Sequence, residues 1–126
     1  MHVCRHSATL KKDSRIRVRR DFLRISKSGM YFKLEAMVVQ CDLNGLDCFR
    51  VGFTASKKVG NAVVRNRCKR RMRAIADIVA NEVGMSGVDY VFIARKSMYS
   101  AEWSQLIDSA KRAFESLNRK VQRCAR

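Results

Sequence analysis

Residues 64–79 carry two patterns that pull against each other. Val64, Cys68, Met72, Ile75 and Val79 recur at i, i+4, i+8, i+11 and i+15, one apolar stripe of an α-helix. Between Arg65 and Arg73, six of nine side chains are cationic and none is acidic. A helix with that stripe has to lie on a core, and the element beneath it has to leave the charges in water. At about 100° per residue, Arg65, Lys69 and Arg73 line one flank of the stripe, Arg67 and Arg71 line the other, and Arg70 points outward. Asn61 is the expected N-cap. With Lys57 and Lys58, eight basic residues and no acid fall between positions 57 and 73.

Such crowding works against the helix. Like charges at i, i+4 cost ~0.2–0.5 kcal/mol per pair, and cations near a helix N-terminus oppose its dipole. A chain selected for stability alone would interleave glutamates here. A phosphate polymer resolves the conflict, because its charge neutralises the cluster and helix N-termini accept anions. Arginine dominates the run, which suits bidentate phosphate contacts. The chain as a whole agrees: its net charge is +16 and its pI about 10.5. A surface built only for solubility mixes the two signs. An acidic partner is expected, with nucleic acid ahead of membrane.

The chain's 126 residues suit one domain, and an apolar share of 47% can fill a core. No run of 18 apolar residues occurs, so no membrane span is expected. Residues 1–14 have no apolar secretory core and no clear amphipathic stripe; they are expected to form a flexible basic arm. Five scattered cysteines (Cys4, Cys41, Cys48, Cys68, Cys124) show no zinc-ligand spacing and fit a reducing cytoplasm. Both histidines, His2 and His6, lie in the arm, and the acids are dispersed. No acid–base pair, phosphate-binding glycine loop or metal-ligand set is apparent, so the expectation is no protein-borne catalysis and no cofactor held by the protein itself.

A short helix is expected over 19–28, with Phe22 and Ile25 on one side and Gly29 as its left-handed stop. Residues 31–41 and 48–56 read as strands joined by a tight Asn44-Gly45 turn. That hairpin would set Cys41 opposite Cys48 as two buried thiols, at a distance that also permits a disulfide. Gly84 and Gly87 end the basic helix. The nearly unbroken apolar run 88–96 reads as a strand covered by helices. Ser100 would cap a last helix, with Glu102 in its first turn and Trp103, Leu106, Ile107, Ala110, Phe114, Leu117 and Val121 as its stripe. Residues 118–126 read as a frayed basic tail. The order helix, strand, strand, helix, strand, helix predicts helices on one face of a small mixed sheet.

The absence of a second short helix argues against a helix-turn-helix in a DNA major groove. RNA read by shape and backbone suits a sheet-and-helix domain better. Phe22 and Tyr31 are candidate base-stacking residues, and either is equally readable as core.

The segment FTASKKVGNAVVRNRCKRRMR resembles the signature of the bacterial ribonuclease P protein subunit. The match rests on Ser56-Lys57-Lys58, Gly60-Asn61-Ala62, Val64-Arg65-Asn66-Arg67, Lys69-Arg70-Arg71 and Arg73. RIRVRRDFLRISKSG upstream resembles the family's start, and GVDYVFIARKSMYS downstream resembles its last strand and the Ala-Arg that follows. The resemblance covers about residues 15–117. It implies an α+β fold: a two-layer α/β sandwich with a small mixed four-stranded sheet, of the kind also used in some ribosomal proteins. It implies a left-handed crossover, against the general right-handed rule. It divides the chain into the arm 1–14, a domain over 15–119 and a basic tail over 120–126. It also implies partners: a large catalytic RNA and precursor tRNA, with no small-molecule substrate. The RNA and its magnesium ions would remove the 5′ leader. Lys58, Arg65, Asn66, Arg67, Lys69, Arg70 and Arg73, beside Lys57, would contact the catalytic RNA. Phe22 would lie in a cleft that passes the single-stranded leader. The family often carries a second aromatic one turn after Phe22; Ile25 and Ser26 stand there, so leader stacking should be weaker, or another residue such as Tyr31 or Phe32 compensates. The alternatives left by composition alone are a ribosome-associated structural RNA-binding protein and a basic DNA-binding protein.

Overall fold

The computed structural model describes residues 15–124. Three helices and four strands occur in the order α1 (Arg19–Lys27), β1 (Tyr31–Lys33), β2 (Met37–Leu43), β3 (Arg50–Thr54), α2 (Ala62–Val83), β4 (Val88–Ala94) and α3 (Trp103–Cys124), with a 3-10 turn at Lys96–Tyr99 before α3. The sheet order is β1-β2-β4-β3. β4 runs antiparallel to β2 and parallel to β3, so α2 is the crossover between parallel neighbours. The apolar run that forms β4 is one of the two inner strands, and six of its seven residues are buried.

Alternation sorts the two faces of the sheet. Met37, Val39, Cys41, Val51, Tyr90 and Phe92 join the large core beneath α2 and α3. The α2 stripe buries Cys68, Met72, Ile75, Ala76, Val79 and Ala80 there. Phe114 of α3 stacks on Tyr90, with ring centroids 4.1 Å apart. The Tyr90 hydroxyl accepts from the Met85 N–H and donates to Asn118. Asn118 in turn donates to Val83 O at 2.8 Å, tying the end of α2 to α3. Burial pushes the Tyr90 hydroxyl well above its ordinary pKa, so it stays a neutral donor.

Several expectations are corrected here. The helices do not share one face: α1 covers the opposite side of the sheet, where Ile16, Ile25 and Val91 form a smaller cluster with Phe22 and Ile93. Residues 31–41 are two strands, β1 and β2, paired antiparallel. The turn between them is held from outside. Arg95 donates to Leu34 O and Ser97 Oγ to Glu35 O, and the Arg95 N–H donates to Ala36 O. β2 and β3 form no hairpin, because β4 lies between them, and Cys41 faces Tyr90 instead of Cys48. Glu102, not Ser100, caps α3: its Oε1 accepts from the Gln105 N–H at 3.0 Å. Residues 118–124 do not fray but continue α3, with Val121 fully buried. Trp103 stands off the stripe, 39% exposed. Gly29 has φ +80°, as a left-handed helix stop requires. The expected arm, 1–14, lies outside the described residues.

One carboxylate fixes α1 in place. Asp89 is wholly buried on the α1 face of β4. Arg50 grips it through Nε at 2.8 Å and an η-nitrogen at 2.7 Å, Arg24 reaches it from α1 at 2.6 Å, and Asn44 donates to it at 2.9 Å. Arg24 also donates to Asp42 at 2.7 Å and to Leu43 O at 2.8 Å. Burial alone would raise the Asp89 pKa; the hydrogen bonds from Arg50, Asn44 and Arg24 outweigh it and hold the carboxyl below its usual range. A depressed carboxylate contributes stability above its unfolded pKa, about 4, and loses it as pH falls through the folded value. Asp89→Asn is expected to lower unfolding free energy by about 3–5 kcal/mol, as for a broken buried ion pair. Urea titrations will show this at pH 7, and the acid-induced fall in midpoint below pH 4 should flatten in the variant.

Candidate nucleic-acid interface

The basic helix is anchored at both ends of its charged half. Asn61 Oδ1 accepts from the Val64 N–H at 3.0 Å, the expected N-cap. No acid occupies the first turn. Because the stripe is buried, the remaining faces are fixed in direction. Lys57, Lys58, Asn66, Arg67 and Arg70 are exposed, while Arg65, Lys69 and Arg73 are half-buried along one flank. Among the described residues, none of the cations from Lys57 to Arg73 forms an ion pair; the ion pairs lie around Asp21, Asp42 and Asp89 and between Lys111 and Glu82. Among the described residues, no ion pair neutralises this charge.

Arg15 extends this flank, which the sequence pattern did not show. A backbone bridge to Val51 places it beside the edge strand β3, with its guanidinium 5.6 Å from the Phe53 ring centroid. Burial and then the neighbouring Arg73 and Arg17 push its pKa down, against a pull from Asp77. The like charges therefore converge in space as well as in sequence. Cys68 lies beneath them; burial raises its thiol pKa, against the opposing effect of Arg71 and Arg67. It is packing, not a nucleophile.

Arg71 has a different use. Its guanidinium donates to Met98 O at 2.7 Å, Tyr99 O at 2.9 Å and Ala101 O at 2.6 Å. It closes the carbonyl end of the 3-10 turn and holds that turn against α2. Arg67 shares the task through one bond, Nε to Tyr99 O at 3.2 Å.

On the other face of the sheet, α1 and the strands enclose a cleft of about 200 Å³. Phe22, Val91 and Ile93 supply its apolar surface, and Arg19, Gln40 and Thr54 its polar edge. The Phe22 ring rests on Gly52, where a Cβ would stand 2.7 Å from Cε1. Only glycine permits that approach. Tyr31 is not in the cleft. It is 54% exposed on β1, and its register partner is Gln40, so it continues the same face toward the sheet edge. Phe32 points to the opposite face and packs on the large core. A larger open depression on α3 is lined by Asp108, Glu115, Lys111 and Arg112; its mixed charge fits no phosphate polymer.

Among the described residues, no group of three or more His, Cys, Asp or Glu is placed to hold a metal ion. No helix among them is long and apolar enough to cross a membrane.

The chain has relatives of similar sequence and solved structures of similar fold. The family model for ribonuclease P matches residues 10–118. The ribonuclease P protein component of Ruegeria pomeroyi is 42% identical over 107 residues, covering 82% of this chain and 85% of the relative. That of Caulobacter vibrioides is 41% identical over 107 residues, covering 84% and 72%. Among solved structures, a Staphylococcus aureus RNase P protein mutant with defective mRNA degradation activity superposes with a TM-score of 0.73 at 32% identity, over 85% of this chain and 90% of that one. The RNase P protein from Thermotoga maritima gives 0.66 at 34% identity, over 78% and 96%. With most of its length matched by sequence and by fold alike, this chain belongs to the ribonuclease P protein component family.

Proposed function

We propose that the chain acts in the cytoplasm as the ribonuclease P subunit that binds both the catalytic RNA and the 5′ leader of precursor tRNA, and so promotes RNA-catalysed leader removal. One observation carries the proposal: six cations on the packed helix, from Arg65 to Arg73, with Lys57 and Lys58 just before it, form no internal ion pair among the described residues. Lys57, Lys58, Arg65, Asn66, Arg67, Lys69, Arg70 and Arg73 would meet the catalytic RNA. The Phe22 cleft would take the leader, with Tyr31 as a stacking residue further along the same face. Magnesium, held by the RNA, would supply the hydrolytic chemistry.

What this chain contributes is electrostatic. Two polyanions, substrate and ribozyme, repel each other. A rigid cationic surface between them lowers that repulsion without reorganising. Guanidinium groups hydrogen-bond phosphate bidentately, so they fix register as well as charge. The apolar cleft suits bases of a single strand, which have exposed ring faces, and rejects duplex.

Reconstitution with the cognate catalytic RNA tests the reading. Leader removal at low magnesium is expected to exceed that of the RNA alone; an equal rate overturns it. Arg65→Ala with Arg73→Ala is expected to weaken binding to the catalytic RNA by at least about tenfold, one lost charge-assisted contact or more. The log–log salt slope should become shallower by roughly 0.7–0.9 per lost phosphate contact, while the thermal unfolding transition stays cooperative.

Gly52→Ala probes the cleft without touching the basic helix. The added methyl displaces the Phe22 ring. Affinity for precursor tRNA should fall by about fivefold or more, the value of one base stack, with binding of leaderless tRNA unchanged. Equal losses on both substrates would remove the leader from the cleft.

A further inference from the structure

We propose that Tyr99 and Trp103 form a second base-stacking surface, on the side of the sheet away from the Phe22 cleft, which takes an unpaired segment of RNA. The proposal rests on the RNA-binding reading above and names a site that reading does not include.

The 3-10 turn before α3 sorts its side chains sharply. Met98 is fully buried, whereas the next residue, Tyr99, is 41% exposed and Trp103 is 39% exposed. Neither ring is needed by the core, which α3 completes with Leu106, Ala110, Ala113, Phe114, Leu117 and Val121. Both rings are instead paired with cations of the basic helix. The Arg67 guanidinium lies 5.1 Å from the Tyr99 ring centroid, and that of Arg71 lies 5.8 Å from the Trp103 centroid. Arg67 and Arg71 are one helical turn apart, about 6 Å along the axis. Two aromatic–guanidinium pairs therefore follow one another along the flank. Val63, one turn earlier in the same row, is 73% exposed and extends the apolar surface.

The arrangement is rigid. Three carbonyl bonds fix Arg71, and one fixes Arg67 by its Nε; among the described residues the two terminal nitrogens of Arg67 make no hydrogen bond. A rigid π-face beside a guanidinium is the pairing that single-stranded nucleic acid uses: bases stack on the rings and phosphates meet the cations. Charge selects the occupant. Arg67 and Arg70 border the patch, and Glu102, the nearby acid in sequence, has its carboxylate engaged by Ser104 Oγ and the Gln105 N–H. An RNA strand satisfies both the rings and the field; a duplex hides its bases and satisfies only the field.

Trp103 is the sole tryptophan of the chain, so its emission reports this surface directly. The full chain is titrated with a single-stranded oligoadenylate, with duplex RNA of the same length and with the cognate catalytic RNA. Binding is followed separately by anisotropy of labelled RNA. Emission is expected to be quenched at saturation with the oligoadenylate and with the catalytic RNA, much less with the duplex, and equally so in Phe22→Ala. Tyr99→Leu and Trp103→Leu keep an apolar side chain but remove the π-face. Each should lower oligoadenylate affinity by about fivefold or more, with the salt slope unchanged. Anisotropy that reports binding while emission stays constant overturns the second site and leaves the proposed function standing. Anisotropy that reports no RNA binding overturns both.

Discussion

The burial of one helical stripe decides whether the like charges of α2 can stand together. Three pairs at i, i+4 (Arg65 with Lys69, Arg67 with Arg71, Lys69 with Arg73) repel by roughly 1 kcal/mol in total. Met72, Ile75 and Val79, each fully buried, contribute about 1.5–3 kcal/mol apiece. Packing wins several-fold, so the helix tolerates a charge density that would unwind it in isolation. The same packing turns a collection of flexible cations into an oriented surface, because the buried stripe fixes which way every flank points. Fold and field are thus one constraint, and α2 cannot be loosened without losing both.

The α1 face works by the opposite means. Its apolar cluster is small, and the helix is short, so burial alone offers little to hold it. Asp89 supplies the missing restraint by accepting from Arg24 of α1 and Arg50 of β3 together. A charge-based anchor leaves the space beside it open. That space is the cleft that Phe22, Gln40 and Ile93 line. Gly52 adds to this by letting the Phe22 ring sit directly on the strand.

The elements that sequence revealed were those with local causes. The α2 stripe, its Asn61 cap, the Gly29 stop and the buried β4 run each follow from neighbours within one or two turns of chain, and each is present. What sequence hid was set by contacts far apart. Nothing near residues 44–48 says that β4 will slide between β2 and β3; the Asn-Gly turn is compatible with a hairpin, and Asn44 instead reaches Asp89, 45 positions away. The break at Leu34–Ala36 depends on Arg95 and Ser97. The clearest missed signal was Asp89 itself. An acid inside VDYVFIA, a strand otherwise apolar, requires buried cationic partners, and Arg24 and Arg50 were available. For the site, the cations of α2 were legible as a cluster, while Arg15 joined them only through the edge of β3. Phe22 is in the cleft, but Tyr31 lies beyond it.

Partners then separate residues of the same type into different uses. Arg24 and Arg50 are consumed by Asp89, and Arg71 by three carbonyls. Arg67 is half committed. Arg65, Arg70 and Arg73 have no ion-pair partner among the described residues. From sequence these arginines are one basic run and its outliers. In three dimensions they form a graded series, from groups whose charge is spent inside the molecule to groups whose charge is available outside it. The distinction also sets how lysine would substitute. At Arg70, which projects outward, an ammonium keeps most of the field. At Arg71 it cannot span three carbonyls with one planar fork, and the turn that carries Tyr99 would lose its hold on α2. The geometry of the fork, more than the charge, is what places the aromatic rings beside the helix.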